Sequence, residues 1–210
     1  GRAQISAQIE QVILHARHIL QHFPRNAQTY RLLGRSLVAT TRWPEAAEVL
    51  RRVLSVFPDD KDAHAGLSEV YRLEKRADDA IWHLERAFGQ SPNDQIILDK
   101  LRDLYRKHRK IEHGKVQLTA GAVARQYVRN GLYEQALDTL QKAIATTPER
   151  VDLRLLLAQT YWDAGRRVEA GETALEVLQT FPDCLVANTL MAALWLTESR
   201  PSDAQRYINR

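Results

Sequence analysis

Residues 151–184 read VDLRLLLAQTYWDAGRRVEAGETALEVLQTFPDC, and this stretch decides the fold. Ala170, Ala174 and Val177 follow one another at intervals of four and three residues, which places them on one face of an α-helix. Gly165 lies before them, where a preceding helix is expected to end, because glycine readily adopts the left-handed conformation that closes a helix. The stretch therefore predicts two helices joined by a short turn.

The same pattern recurs along the chain at a constant interval. Five prolines mark the ends of successive units: Pro24, Pro58, Pro92, Pro148 and Pro182. The spacing between neighbouring prolines is identical throughout, except for a longer gap between the third and the fourth. The full repeats are 27–60, 61–94, 117–150 and 151–184. Partial units fit residues 5–26 and 185–210, and a shorter remainder, 95–116, separates the second and third repeats. Such a period is typical of stacked helical hairpins that bury their apolar faces against their neighbours.

Equivalent positions of the repeats carry the same kinds of side chain. Position 20 is alanine in every full repeat, and position 11 is aromatic in three of them: Tyr71, Tyr127 and Tyr161. With proline at position 32, these residues resemble the tetratricopeptide repeat family. His64 and Arg154 depart from its pattern, which has an aromatic residue at their position. The resemblance implies an all-α fold in which tetratricopeptide-repeat helical hairpins stack in a right-handed superhelix, and we expect a bacterial-type scaffold region of a longer protein.

One stretch, RKHRKIEHGKVQL at 106–118, interrupts the repeats. Residues 95–108 keep the pattern of a first helix, but no second helix follows them in the sequence. We interpret residues 1–108 as an N-terminal module capped by that helix, residues 109–118 as a linker, and residues 119–210 as a C-terminal module. The alternative is a shortened unit within one continuous superhelix.

Charge is distributed unevenly along the chain. Residues 1–110 hold 19 Lys and Arg against 14 Asp and Glu, whereas residues 111–210 hold 11 against 12. The basic first half favours an acidic partner, although the excess is mild for a nucleic-acid-binding protein. A basic helical repeat that binds nucleic acid stays as an alternative, with the slightly acidic second half against it. A further alternative is an accessory region of a larger enzyme or secretion protein.

The resemblance implies that the chain binds a protein or peptide. In tetratricopeptide superhelices the first helix of each unit lines the concave groove, chiefly through positions 2, 5, 9, 12 and 13. The partner-binding residues predicted in this way are Arg31, Arg35, Arg72, Arg106, Lys107, Arg125, Val128, Arg129, Gln159 and Trp162. Arginine suits forked hydrogen bonds with carboxylates, and Leu155 would add apolar contact area. Glu69, Asp99 and Asp103 argue against the carboxylate clamp of chaperone-binding members.

Sequence motifs of catalysis are missing from the chain. It has no nucleophile elbow, phosphate-binding glycine loop, paired cysteine motif or zinc-binding His-Glu-x-x-His helix. His15, His18 and His22 share one helical face, but they extend over about 10 Å, which is too long for a single ion. We therefore expect a non-enzymatic protein without a metal or another cofactor.

The sequence predicts no membrane span, since it contains no run of 18 apolar residues. Its first stretch, GRAQISAQIEQVILHARHIL, is amphipathic and lacks the basic-then-apolar order of a secretory signal. We therefore expect a cytoplasmic location. The terminal helices of a helical repeat are open on one side, which would permit weak self-association.

Overall fold

The computed structural model describes residues 2–109 and 116–209, and within them the backbone is mostly helical. Twelve α-helices follow one another in these ranges: α1 Arg2–His22, α2 Ala27–Ala39, α3 Trp43–Val56, α4 Lys61–Leu73, α5 Ala77–Gln90, α6 Gln95–Leu104, α7 Ala120–Arg129, α8 Tyr133–Thr146, α9 Val151–Asp163, α10 Arg167–Thr180, α11 Leu185–Thr197 and α12 Pro201–Ile208. A π-helical turn, Tyr105–Arg109, follows α6 directly. The prediction of an all-α fold of helical hairpins is confirmed.

The chain forms two compact units. The first comprises residues 1–54 and 60–117, and the second comprises residues 55–59 and 118–210. Helices α1 to α6, apart from the last two residues of α3, belong to the first unit, and α7 to α12 belong to the second. The interpretation of residues 109–118 as a linker stays a prediction, because residues 110–115 lie outside the described part of the chain. The module boundaries at 108 and 119 stay predictions as well.

Small residues let the helices approach one another closely. Position 20 is fully buried in all four full repeats: Ala46, Ala80, Ala136 and Ala170. Leu50, also fully buried, occupies the space beside two glycines of the first unit. A Cβ atom would lie 2.5 Å from Leu50 Cδ2 if added at Gly34, and 2.7 Å from Leu50 Cδ1 if added at Gly66. Because protein interiors are close-packed, a larger side chain at either glycine would displace Leu50.

Each hairpin turn has one residue in the left-handed region, at the same place in the repeat. The described residues with positive φ are Thr41, Lys75, Gly131, Gly165 and Ser199, which all occupy position 15 of their repeats. Gly131 and Gly165, with φ of 70° and 79°, adopt this conformation without steric cost. Lys75 has φ of 62°, although its Cβ atom disfavours that conformation. The packing of the hairpin therefore sets the turn, and the local residue adapts to it.

A hydrogen bond between neighbouring repeats recurs at position 11 of the repeat. The pairs are Arg51 with Tyr71, Glu85 with Tyr105, and Gln141 with Tyr161, at 2.9, 2.5 and 2.7 Å. The hydrogen bond of Tyr105 shows that α6 packs as the first helix of a repeat, as its sequence pattern predicts. Arg109, at the end of the π-helical turn, lies over the Tyr105 ring as Arg76 lies over Tyr71. The incomplete repeat that begins at residue 95 therefore keeps the contacts of a complete repeat up to residue 109.

Candidate functional site

The first helices of the first unit enclose a cleft of about 380 Å³. Helices α2, α4 and α6 form most of its lining, and α5 contributes one side chain. The lining residues are Arg35, Val38, Ala39, Lys61, Asp62, Ala65, Gly66, Glu69, Leu84, Asp94, Ile96, Ile97 and Lys100. Three of them are basic and three are acidic, and we call this site the charged cleft.

The charges of the charged cleft are partly neutralised within the chain. Lys61 Nζ lies 3.4 Å from Asp94 Oδ2. Glu69 accepts a hydrogen bond from Arg72 Nη2 at 2.6 Å, and this bond holds the pKa of Glu69 below its ordinary value. Arg35 is exposed on α2, and among the described residues no carboxylate forms an ion pair with it. Arg35 is therefore available to an incoming ligand.

The first helices of the second unit enclose another cleft, of about 450 Å³. It lies among α7, α9 and α11 and is lined by Val128, Leu156, Gln159, Thr160, Trp162, Asp163, Leu185, Val186, Thr189 and Leu190. Most of these side chains are apolar, and Asp163 is the single charged residue among them, so we call this site the apolar cleft. Each unit thus has a cleft on the equivalent helices, with different chemistry.

Trp162 lies in the apolar cleft with its ring held by Arg167. The guanidinium carbon of Arg167 is 3.8 Å from the centroid of the indole ring. Arg167 Nη1 also donates a hydrogen bond to the Trp162 carbonyl oxygen. A cation over an indole face is attracted by the negative potential of the ring. Because Arg167 does not line the cleft, it orients the ring without occupying the space beside it.

Four of the ten predicted partner-binding residues line a cleft. Arg35 lines the charged cleft, and Val128, Gln159 and Trp162 line the apolar cleft. Arg129 is exposed beside Val128 on α7 but is not part of the lining. These placements follow the repeat positions used in the prediction, and partner binding by these residues stays a prediction.

The other five predicted residues are basic and pair with carboxylates of the chain itself. The pairs are Arg31 with Asp60, Arg72 with Glu69, Arg106 and Lys107 with Asp103, and Arg125 with Asp59, with N–O distances between 2.5 and 3.4 Å. Hydrogen bonds from Lys107 and Arg106 hold the pKa of Asp103 below its ordinary value. Because these positive charges have negative neighbours, they attract an acidic ligand less than isolated arginines would. An acidic partner therefore gains no support from them.

Two residues predicted to face the groove are largely withdrawn from solvent. The side chain of Arg125 is 18% exposed, Nη1 donates to the Gly121 carbonyl oxygen at 3.3 Å, and Nη2 lies 3.4 Å from Asp59 Oδ2. Burial lowers the pKa of the Arg125 guanidinium, and the charge of Asp59 offsets part of this effect. Leu155 is fully buried in an apolar cluster with residues of α10 and α11. The prediction that Leu155 contacts a partner is therefore wrong, because these two helices cover it.

The sequence prediction missed the residues that α11 contributes to the apolar cleft. Val186 and Thr189 occupy positions 2 and 5 of the last partial unit, so the same rule applied to 185–210 would have found them. Leu190 occupies position 6, and so does Lys100 in the charged cleft. Position 6 is not among the groove positions that the family pattern names, so the pattern did not predict either residue.

Trp82 and the histidines of α1 lie outside the two clefts. Trp82 is 40% exposed on α5, and its carbonyl oxygen accepts a hydrogen bond from Arg86 Nη1 at 2.7 Å. His15, His18 and His22 are exposed. Within residues 2–109 and 116–209, no group of three or more His, Cys, Asp or Glu side chains is placed to hold a metal ion. In the same ranges no helix has the length and apolar character needed to cross a membrane.

Comparison with known families identifies the repeat. Two family models, both described as tetratricopeptide repeat, match residues 31–94 and 127–194. Together they cover more than half of the chain, and the matched ranges contain most residues of both clefts. A search of curated proteins finds no match.

Solved structures with low sequence identity also align with the chain. The crystal structure of MamA is 17% identical, with a TM-score of 0.44 and 85% of each chain covered. YrrB, described as a TPR protein with an unusual peptide-binding site, is 14% identical, with a TM-score of 0.41 and coverage of 92% of this chain and 91% of its own. Pseudomonas aeruginosa PilF is 16% identical, with a TM-score of 0.39 and coverage of 86% and 88%. The two repeat matches are the more informative of these findings.

Proposed function

Because the chain belongs to the tetratricopeptide repeat family, whose members are protein-interaction scaffolds, we propose that it is a non-enzymatic scaffold that binds peptide segments of a partner protein in its two clefts. Each cleft lies among three successive first helices of one unit. An extended segment that crosses these helices would meet equivalent repeat positions in turn. The same backbone geometry thereby offers regularly spaced contacts to a peptide.

The apolar cleft is the observation that supports this proposal most directly. It combines the partly exposed Trp162 with Leu185, which is 51% exposed, in a concave surface of about 450 Å³. Apolar surface in contact with water is unfavourable, and tryptophan is enriched among the residues that dominate binding free energy. A partner segment that covers these side chains would remove their apolar surface from water.

The charged cleft would add polar contacts to the same scaffold. Arg35 and Lys100 approach it from α2 and α6, and Asp62 and Glu69 approach it from α4. Because opposite charges are interspersed, this cleft suits a segment that carries charges of both signs. Charged contacts of this kind contribute more to partner choice than to affinity.

Selection of displayed random peptides on the immobilised chain tests the proposal. The enriched peptides are synthesised with a fluorescent label and titrated with the wild-type chain and with two variants. Trp162→Ala removes the largest side chain of the apolar cleft, and Ala65→Arg fills the charged cleft. We expect each peptide to lose at least about tenfold in affinity in one of the two variants, because truncation of a central contact typically has an effect of this size or larger.

Trp82→Ala is the matched control for this experiment. Trp82 is also partly exposed, and like Trp162 it carries an arginine over its ring, but it lies outside both clefts. The control variant should bind every selected peptide as the wild type does. Peptides that bind all three variants with wild-type affinity would contradict binding in the clefts. Capture of cellular partners that disappears after nuclease treatment would favour the nucleic-acid alternative.

A further inference from the structure

The hydroxyl groups of the apolar cleft are already bonded within their own helices. Thr160 Oγ1 donates a hydrogen bond to the Leu156 carbonyl oxygen at 2.7 Å, and Thr189 Oγ1 donates to the Leu185 carbonyl oxygen at 2.8 Å. A hydroxyl that is bonded to its own backbone offers a ligand little directional hydrogen bonding. Apart from the side-chain amide of Gln159, the lining therefore offers a ligand mainly apolar contact and the one charge.

That charge belongs to Asp163, the last residue of α9. At the end of a helix the terminal carbonyl groups carry a partial negative charge, which adds to the charge of the carboxylate. The side chain is exposed, and in residues 2–109 and 116–209 no lysine or arginine forms an ion pair with it. The carboxylate favours a cation at this side of the cleft, whereas the Trp162 carbonyl oxygen at the helix end already accepts a hydrogen bond from Arg167.

The arginines that follow Asp163 in the sequence are engaged elsewhere. Arg166 Nη2 lies 2.8 Å from Glu169 Oε1, and this pairing raises the pKa of Arg166. Arg167 lies over the ring of Trp162 and donates to its carbonyl oxygen. Neither arginine forms an ion pair with Asp163, so its carboxylate is open to a ligand.

Arg129 is the feature that would favour the opposite ligand. It is exposed at the end of α7, directly after Val128, but it does not line the cleft. An acidic ligand would use Arg129, whereas a basic ligand would use Asp163. Because Asp163 belongs to the lining and Arg129 does not, the geometry of the cleft favours the basic ligand.

We propose that the apolar cleft binds an apolar peptide segment that carries a lysine or arginine, and that Asp163 pairs with this basic residue. Trp162 is the apolar anchor, held in place by Arg167 before the ligand arrives. Such preorganisation reduces the entropy that binding would otherwise cost. The inference rests on the proposed function, and it reverses the acidic partner that the charge of the sequence favours.

A library of displayed random decapeptides tests the inference by its charge preference. It is selected on the immobilised 210-residue chain and on the Asp163→Lys, Arg129→Glu and Trp162→Ala variants, and it is sequenced before and after selection. We expect the wild type to enrich peptides that combine apolar residues with Lys or Arg, and to deplete Asp and Glu. Synthesised basic peptides should bind Asp163→Lys at least about tenfold more weakly, because attraction becomes repulsion. Trp162→Ala should remove most of the enrichment.

Asp138→Lys is the matched control for the change of charge. Asp138 is exposed on α8, outside the cleft, and its replacement alters the net charge by the same amount. This variant should keep the wild-type preference, and circular dichroism checks that all variants are folded. Basic peptides that bind Asp163→Lys as tightly as the wild type would overturn the inference.

Two other outcomes separate the inference from the proposed function. Enrichment of acidic peptides that is lost in Arg129→Glu and in Trp162→Ala would overturn the basic ligand but keep a peptide site in the apolar cleft. Failure of the wild type to enrich any peptide over the bare support would overturn both the inference and the proposed function.

Discussion

The charged cleft and the apolar cleft use the same positions of the repeat but present opposite chemistry. At position 12 the first has Val38 and the second has Trp162. At position 1, Lys61 in the charged cleft corresponds to Leu185 in the apolar cleft. The backbone of the hairpins is the same in both cases. Partner choice therefore depends on the side chains placed at these positions rather than on the fold.

Position 5 gives the sharpest contrast between individual repeats. Ala65 lines the charged cleft, whereas Leu155 is fully buried among residues of α10 and α11. The same repeat position can thus belong to a binding surface or to the core. Which of the two occurs depends on whether the neighbouring helices leave space beside it.

The largest effect we expect comes from truncation at this position in the second unit. Leu155→Ala should lower the free energy of unfolding by about 2–5 kcal/mol, because it leaves a cavity in a close-packed core. Urea denaturation followed by circular dichroism measures the change. Ala65→Ser, in the charged cleft, should change the stability by less than about 1 kcal/mol. A cost of similar size for both substitutions would mean that Ala65 and Leu155 have similar environments.

A second difference between the units concerns pH. His83 Nδ1 lies 2.8 Å from His64 Nδ1, and burial, followed by the charges of His64, Arg86 and Arg51, lowers the pKa of His83 from 6.5 to about 3. Below pH 6.5 the unfolded chain binds a proton at His83 that the folded chain excludes. The contribution of His83 to the free energy of unfolding is therefore fully present above pH 6.5. Below this value the free energy of unfolding falls by about 1.4 kcal/mol per pH unit.

Hydrogen exchange at pH 7 and pH 5 measures this effect in each unit. Between these values we expect amides of α4 and α5 to lose about 2 kcal/mol of protection, whereas α9 and α10 change little, because residues 118–210 contain no histidine. The variant His83→Phe removes the titrating group and should reduce the difference. An equal loss of protection in both units would show that another group causes it.

Salt should lower the peptide affinity of the two clefts to different extents, and we expect this difference to be smaller than the effects above. Peptides that depend on the charged cleft should bind about tenfold more weakly in 0.5 M than in 0.05 M sodium chloride, because the salt screens exposed charges such as Arg35. Peptides that depend on Trp162 should keep more of their affinity. Fluorescence anisotropy at both salt concentrations measures the two classes. Equal salt dependence would mean that the chemical difference between the clefts does not determine binding.

The helices and their order could be predicted from the sequence because the same repeat unit occurs four times in full. Arg35, Val128 and Trp162 could be placed on cleft surfaces because each occupies a groove position of a first helix. The burial of Leu155 could not be predicted, since a position in one helix does not show which other helices cover it.

The ion pairs of the predicted arginines were also beyond the sequence pattern. Arg31 and its partner Asp60 are 29 residues apart, and Arg125 and Asp59 are 66 residues apart. Repeat positions describe where a side chain begins on its helix, but they do not show which charges meet in three dimensions. The net positive charge of the first half therefore suggested a ligand that the paired side chains do not favour.

The smallest effect we expect distinguishes the units at their turns. Lys75 in the first unit and Gly165 in the second occupy position 15, with φ of 62° and 79°. Lys75→Gly should raise the free energy of unfolding by up to about 1 kcal/mol, because glycine removes the clash of the Cβ atom in this conformation. Gly165→Ala should lower it by about 1 kcal/mol for the converse reason. Thermal unfolding of the two variants beside the wild type measures both shifts. If Lys75→Gly is destabilising, contacts of the lysine side chain outweigh the backbone term, and the turns of the two units are then stabilised by different means.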